Sequence, residues 1–455
     1  MPLPRATKLG YGAAELGVLA TETLARLHVL KFYTDVVGLE AAYAGAAAAI
    51  AIVWDAFADL TIGLVSDRTR SRWGRRRPYL LAGGVALAIS VVALFHPLHV
   101  TTQLGMAALL LASFLVMNTA VSLLSVPHTA LATELTDDEA ERTALFGYRL
   151  FLGNLGLLAG AILPGALLAR SPDGSAAAYG AASFGVGALI LASATVTFVA
   201  TRGRDVAPPD PSPMRLGAMS RSAAAVVTDR NFLPLLAAYV VAQLGVAVNG
   251  TFALYYYEYR LELTADQVSA ILAVFVTAWS LSIPAWVLAS QRLGKRRLAF
   301  AGITLLGLST AFIYLVAPPR SMVLPMTIAV VGGALAGSIV LLEALVADVV
   351  DADRLLRRGQ REGVYFGVWR MAAKLARGLA VAGSGVALTW IGFVPNQPQS
   401  AEVSERLAWL FGPGVGIFFV LGALIFLGSP LDDARTRRVR HALARRRHHQ
   451  LRRGG

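Results

Sequence analysis

Apolar residues run along this chain in long blocks with few polar interruptions, and the blocks recur at a regular pace. Twelve blocks approach or exceed the roughly 20 residues that an α-helix needs to cross a bilayer: 9–33, 41–65, 78–97, 104–133, 143–169, 177–201, 232–257, 265–290, 298–317, 322–348, 362–392 and 407–428. Only short polar stretches lie between them, so little chain is left for a soluble domain. The pattern predicts an all-α membrane protein with twelve spanning helices. The first block starts within a few residues of Met1 and has no small-residue cleavage site, so it reads as a retained helix rather than a signal peptide.

Composition supports that class. Of 455 residues, 56% are hydrophobic and 15% charged, against about 25% charged in a soluble domain. There are no cysteines, which excludes disulfides and thiolate metal sites. A net charge of +13 raises the question of nucleic acid, and its placement answers it. With the amino terminus inside, the inner segments hold 31 of the 41 Lys and Arg, and the outer loops hold Arg170, Arg260, Arg320 and Arg406. This is the positive-inside asymmetry of membrane proteins. It predicts both termini on the cytoplasmic side, in a bacterial inner membrane, with the lipid bilayer and not nucleic acid as the partner. The basic tail at 431–455 then rests on anionic lipid or is disordered.

An internal repeat organises the spans. "WGRRRPYLLAGG" after span 2 has a counterpart in "LGKRRLAFAGI" after span 8, with Gly74 and Gly294 separated by 220 residues. "ERTALFGYRLF" in span 5 is echoed by "REGVYFGVWRM" in span 11, with Arg149 and Arg370 separated by 221. A near-constant offset over six spans predicts two six-helix halves in the same orientation: 1–201, then a Pro- and Arg-rich linker at 202–230, then 231–430 before the tail. Parallel halves with a midplane site between them describe major-facilitator transporters.

Against that apolar background the ionisable residues stand out. Asp55 and Asp59 lie in "VWDAFADLTIG", inside span 2. A carboxylate at the bilayer centre costs roughly 2.5–3.5 kcal/mol and usually serves function. Residues four apart share a helical face, so the two carboxylates repel, and a bound sodium ion or proton relieves that repulsion. Ser122 and Ser125 on span 4 are expected to add the neutral oxygens that a hard cation favours. The alternative is a carboxylate pair bridged to span 11 only to hold the bundle. Span 11 carries Arg370, Lys374 and Arg377 on one face, a stripe too costly to turn toward lipid. Glu22 and Arg26 on span 1 are one turn apart and readable as a self-satisfied pair; Glu343 on span 10 has no evident partner. Arg149 lines the cavity or clamps an acid. Trp369 and Arg370 are further cavity candidates. At the inner face, Asp67, Arg75, Arg76, Arg77 and Arg142 of the first half and Asp348 and Asp351 of the second are expected to form gating ion pairs, with solvated topology-setting charge as the other reading. "LYYYEY", at Tyr255–Tyr259, reads as an interfacial aromatic belt rather than a sugar-stacking patch.

Several motifs in order, "TKLGYG", "FYTDVVGL", "WDAFADLTIG", "DRTRSRWGRRRPY", "ELTDDEAERT", "ADVVDAD" and "REGVYFGVWRMAAKLARG", resemble the glycoside–pentoside–hexuronide:cation symporters. That family of major facilitators includes the melibiose permease and the sodium-coupled lysophospholipid symporters. The resemblance runs from Thr7 to about Phe393. It implies a monomeric symporter without a cofactor, coupling sodium or protons to a sugar-type solute or, alternatively, to a lysophospholipid. It assigns Asp55 and Asp59 to the cation, which as a metal means Na+ only. It sets Lys374 against those carboxylates for coupling and brings Arg149 to the substrate. The chain departs from the sugar transporters at two places: Leu19 and Ser125 stand where the melibiose permease has its sugar-binding aspartates. An integral-membrane lipid enzyme would need a nucleophile–base set or metal ligands within the spans, and the histidines are too scattered to supply one; a passive channel is the remaining alternative. The expectation is a transporter, not an enzyme.

Overall fold

A computed structural model describes residues 3–136, 138–170, 175–203, 223–357 and 362–428. The linker expected at 202–230 is described only at its two ends, and the tail expected at 431–455 lies outside the described residues.

The apolar blocks become helices because a bilayer offers no water to backbone N–H and C=O groups, so each segment satisfies its own. In order they are α1 (Arg5–Lys31), α2 (Ala41–Arg68), α3 (Arg77–Leu94), α4 (Gln103–Leu135), α5 (Glu139–Leu168), α6 (Ser175–Ala200) and α7 (Leu233–Tyr255). Then follow α8 (Ala265–Leu293), α9 (Lys295–Val316), α10 (Val323–Ala336), α11 (Val340–Arg357), α12 (Glu362–Trp390), α13 (Ala401–Phe411) and α14 (Pro413–Leu427). Local chemistry sets the boundaries. Pro occupies the first turn of α3, α7 and α14, where its missing N–H costs nothing. Thr264 and Gln267 close a capping box on α8. Gly74 and Gly294, the pair singled out by the repeat, turn the chain at φ of 90° and 91°, a region that side chains with a Cβ rarely enter.

Among the described residues, eleven segments are long and apolar enough to cross a membrane. The twelfth expected span, α1, has 27 residues but carries Glu15, Glu22 and Arg26 through its middle, which lowers its hydropathy. Those groups face other helices, and α1 is wrapped by α5, α6 and α7. Two expected spans are broken. The span at 322–348 divides at a 3-10 turn, Gly337–Ile339. There a Cβ on Gly337 would fall 2.1 Å from Ser282 Oγ of α8, so the Ser282 side chain packs directly on the glycine backbone. The last span divides at Gly412–Pro413 because Pro413 lacks an N–H and disfavours a helical residue before it.

Within the first half α1 packs on α5 and α6, α2 and α3 on α4, and α3 on α6; within the second α7 and α9 pack on α14, and α8 on α10. Contacts between the halves run chiefly through α2 with α12 and α5 with α8, with α1 against α7. Polar residues on α1, α2, α5, α7 and α12 therefore converge on one central seam.

Candidate functional site

The α2–α12 seam is built for close approach. A Cβ on Gly385 would lie 2.2 Å from the Ala41 carbonyl oxygen, and one on Gly45 would lie 2.9 Å from the Val381 carbonyl oxygen. Small residues that let helix backbones touch are the usual device of membrane interfaces. With its start held against α12, α2 carries Asp55 and Asp59 to the middle of the seam, and α12 brings Lys374 to meet them. The Lys374 ammonium donates to Asp55 Oδ2 at 2.6 Å and Asp59 Oδ2 at 2.5 Å. From α4 the buried Ser122 hydroxyl lies 2.9 Å from Asp55 Oδ1 and 2.6 Å from Asp59 Oδ1. Two carboxylates, one hydroxyl and one ammonium thus form a closed cluster from three helices. Asp55 is 14% exposed and Asp59 35%, so the cluster opens toward the end of α2 that bears Arg68. Ser125 is not part of it: among the described residues no hydrogen bond joins Ser125 to either carboxylate, and its carbonyl accepts from Thr129. One helical step of three places Ser125 a turn away from Ser122.

Beside the cluster lies a cavity lined by Glu22, Arg26, Asp55, Asn118, Thr251 and Arg377. Among the described residues neither Glu22 nor Arg26 makes a hydrogen bond or ion pair, so they are not a self-satisfied couple. Both line the cavity. Arg26 also borders a second, mostly apolar cavity lined by Tyr257, Phe275, Trp279, Ile328 and Phe419. An uncommitted guanidinium thus stands between a charged chamber and a greasy one.

The other expected cavity residues divide. Arg149 makes a two-pronged pair with Glu15 of α1, Nε at 2.7 Å from Oε2 and Nη2 at 3.0 Å from Oε1. That is the clamp reading in this conformation. Trp369 is 2% exposed and stacks on Tyr239 with ring centroids 3.7 Å apart, so it packs instead of lining the cavity. Arg370 and Glu343 are exposed, and among the described residues neither forms an ion pair.

At the end of the molecule opposite Arg68, a network absent from the sequence reading joins the halves. Lys31 pairs with Asp35 at 2.5 Å and with Glu258 at 2.9 Å. Tyr259 donates to Asp35 Oδ2 at 2.6 Å, the Thr34 and Tyr255 hydroxyls meet at 2.9 Å, and Asn396 reaches the Asp35 carbonyl. Tyr255, Tyr256 and Tyr257 are buried, which corrects the aromatic-belt expectation: they pack edge-on against Phe393, Tyr314 and Phe411 respectively, next to a π-helical turn at Tyr256–Arg260. The signal available in the sequence was Lys31 and Asp35 at an i,i+4 spacing. At the arginine-rich end several pairs lie within one half. Arg75 and Arg76 bind Glu134, Arg77 reaches the Phe198 carbonyl, Arg142 the Thr136 carbonyl, and Asp348 binds Lys295 at 2.9 Å. The side chains of Asp67 and Asp351 lie outside the described residues. Removal of one partner from a buried pair costs about 3–5 kcal/mol, enough to shift a two-state equilibrium more than tenfold. In this cysteine-free chain, a Thr251→Cys reporter should therefore react at least about tenfold faster with an impermeant maleimide once Lys31→Ala is added. Equal rates would mean that the network does not hold this end shut.

The profile of a family described as MFS/sugar transport protein matches residues 10–433. The isoprimeverose transporter of Lactiplantibacillus pentosus is 25% identical over 93% of this chain and 88% of its own. The sodium-dependent lysophosphatidylcholine symporter 1-A of Danio rerio is 24% identical over 89% of this chain and 81% of its own. Among solved structures, a bacterial homologue of the lysosomal transporter Spinster superposes with a TM-score of 0.70 at 13% identity, covering 93% of this chain and 96% of that one. The fold is that of the major facilitators.

Proposed function

The chain belongs to the MFS/sugar transport protein family, and on that premise we propose that it is a cation-coupled symporter for a small solute of the sugar or glycoside type. The observation that carries this reading is the Asp55–Asp59–Ser122–Lys374 cluster at the seam between the halves. A sodium ion or proton entering there competes with the Lys374 ammonium for the same carboxylate oxygens. Displacement of Lys374 would loosen α12 from α2, so cation loading and movement of the halves become one event. No bond is broken in such a cycle, and none of its steps requires a cofactor. The protein works as a monomer in a bacterial inner membrane, with the arginine-rich end facing the cytoplasm. In this conformation the tyrosine-rich end is closed and the cluster opens toward the cytoplasmic side.

A second reading is favoured by the apolar cavity that meets the charged one at Arg26. An amphiphile such as a lysophospholipid would set its headgroup among Glu22, Arg26 and Arg377 and its chain among Phe275, Trp279 and Phe419. Leu19 and Ser125 supply no carboxylate to grip sugar hydroxyls, which a hydroxyl-reading site needs. Thermal shift with melibiose, a xyloside, a glucuronide and lysophosphatidylcholine, each with and without sodium, separates the two. Sodium-enhanced stabilisation by a sugar alone supports the first reading, stabilisation by the lysolipid alone the second. Absence of any sodium effect, with or without solute, would count against sodium as the coupling ion.

A further inference from the structure

One buried titratable group plays no part in the cycle above. His128 of α4 is 0% exposed and locks to α1 by two hydrogen bonds: its Nε2 lies 2.7 Å from the Tyr11 carbonyl oxygen, and the Tyr11 hydroxyl donates to the His128 carbonyl at 3.2 Å. A carbonyl oxygen only accepts, so Nε2 carries the hydrogen. In a neutral ring Nδ1 is then a bare lone pair. That nitrogen has no hydrogen-bond partner and points at a carboxylate, Glu15 Oε2, at 3.5 Å. Lone pair against carboxylate is a repulsive contact in a place where buried polar atoms are normally satisfied. One added proton turns it into a donor facing an acceptor.

We infer that His128 and Glu15 form a proton-binding site in the first half, separate from the Asp55–Asp59 cluster. The proton adds to the Nδ1 lone pair, the ring becomes imidazolium, and the new N–H donates to Glu15 Oε2. The charged and titratable groups facing the ring are Tyr11 and Glu15 from α1 and, through Glu15, Arg149 from α5, whose Nε occupies the same oxygen at 2.7 Å. Histidine and arginine therefore share one carboxylate oxygen. While Arg149 stays on Glu15 it offsets the charge that attracts the proton. A solute that draws Arg149 toward the cavity leaves Glu15 to His128 and loads the proton. By linkage, protonation in turn frees Arg149 by the same factor. The site stands whether or not Asp55 and Asp59 bind a cation.

The test is nitrogen-15 solid-state NMR of histidine-labelled full-length protein in bilayers, titrated between about pH 5 and 9. The His128 signal is the one lost in His128→Gln, whose amide keeps a donor for the Tyr11 carbonyl. Should that variant fail to fold, the signal is identified by its contact with labelled Tyr11. As pH falls, this ring should pass from the neutral Nε2–H form to the doubly protonated form. In Glu15→Gln the doubly protonated signal should be lost under the conditions that show it in the unaltered protein, because no charge remains to hold the new N–H. Asp59→Asn should leave it in place. A ring that stays neutral throughout the range, or a transition indifferent to Glu15→Gln, would overturn the assignment.

Discussion

Asp55→Asn or Asp59→Asn is expected to abolish gradient-driven accumulation while the protein remains folded in the membrane. The amide keeps the shape of the carboxylate and removes the charge that holds a hard cation. A hydrogen bond or ion contact to a charged group is worth about 1.5–3 kcal/mol, so loss of one carboxylate should weaken cation binding about 10- to 100-fold. Asp59, being partly in water, belongs at the low end of that range, and Asp55 at the high end. The measurement is solute uptake into proteoliposomes under an imposed sodium or proton gradient, with counterflow as the control for an intact carrier. If both variants keep full gradient-stimulated uptake, the cation site lies elsewhere.

Lys374→Ala carries the second large effect. In the structure its ammonium is the counter-charge for both aspartates, and no other cation among the described residues bridges them. Removal of one partner of a buried ion cluster costs about 3–5 kcal/mol, here chiefly through two carboxylates left facing each other. A proton is the smallest available remedy, so transport in this variant should lose sodium dependence and become stimulated as pH falls. Because coupling is reciprocal, the benefit of cation for solute binding and of solute for cation binding should shrink together. Uptake measured against sodium concentration at several pH values reads this directly. A response identical to the unaltered protein would remove Lys374 from the coupling step.

Much of this arrangement was legible along the chain. The four-residue spacing of Asp55 and Asp59 inside an apolar run places them on one helical face whatever the neighbours are. Lys374, on a stripe with Arg370 and Arg377, had to avoid lipid, and a resemblance to known symporters pointed it at the aspartates. The Gly74 and Gly294 repeat could be read from spacing, and both residues adopt a positive φ near 90°. Other features were hidden. Whether Arg149 lines a cavity or clamps an acid depends on where Glu15 lies, 134 residues earlier in the chain. Trp369 looks the same in sequence whether it stacks on Tyr239 or faces solute. Ser122 and Ser125 look equally suited to a cation, and only helix rotation separates them.

The sequence by itself determined that this is a multi-pass membrane protein, because span length and hydropathy are local properties that the bilayer enforces segment by segment. It also determined which side chains are too costly to face lipid, and hence which ones must find partners. The tertiary structure alone decided who those partners are: Lys374 and Ser122 for the aspartates, Glu15 for Arg149 and His128, Glu258 and Tyr259 for Lys31 and Asp35. Each of those contacts joins residues more than 60 positions apart. Their distances are set by the angles at which helices cross and by the small residues that let them touch, and neither leaves a periodic mark in the chain.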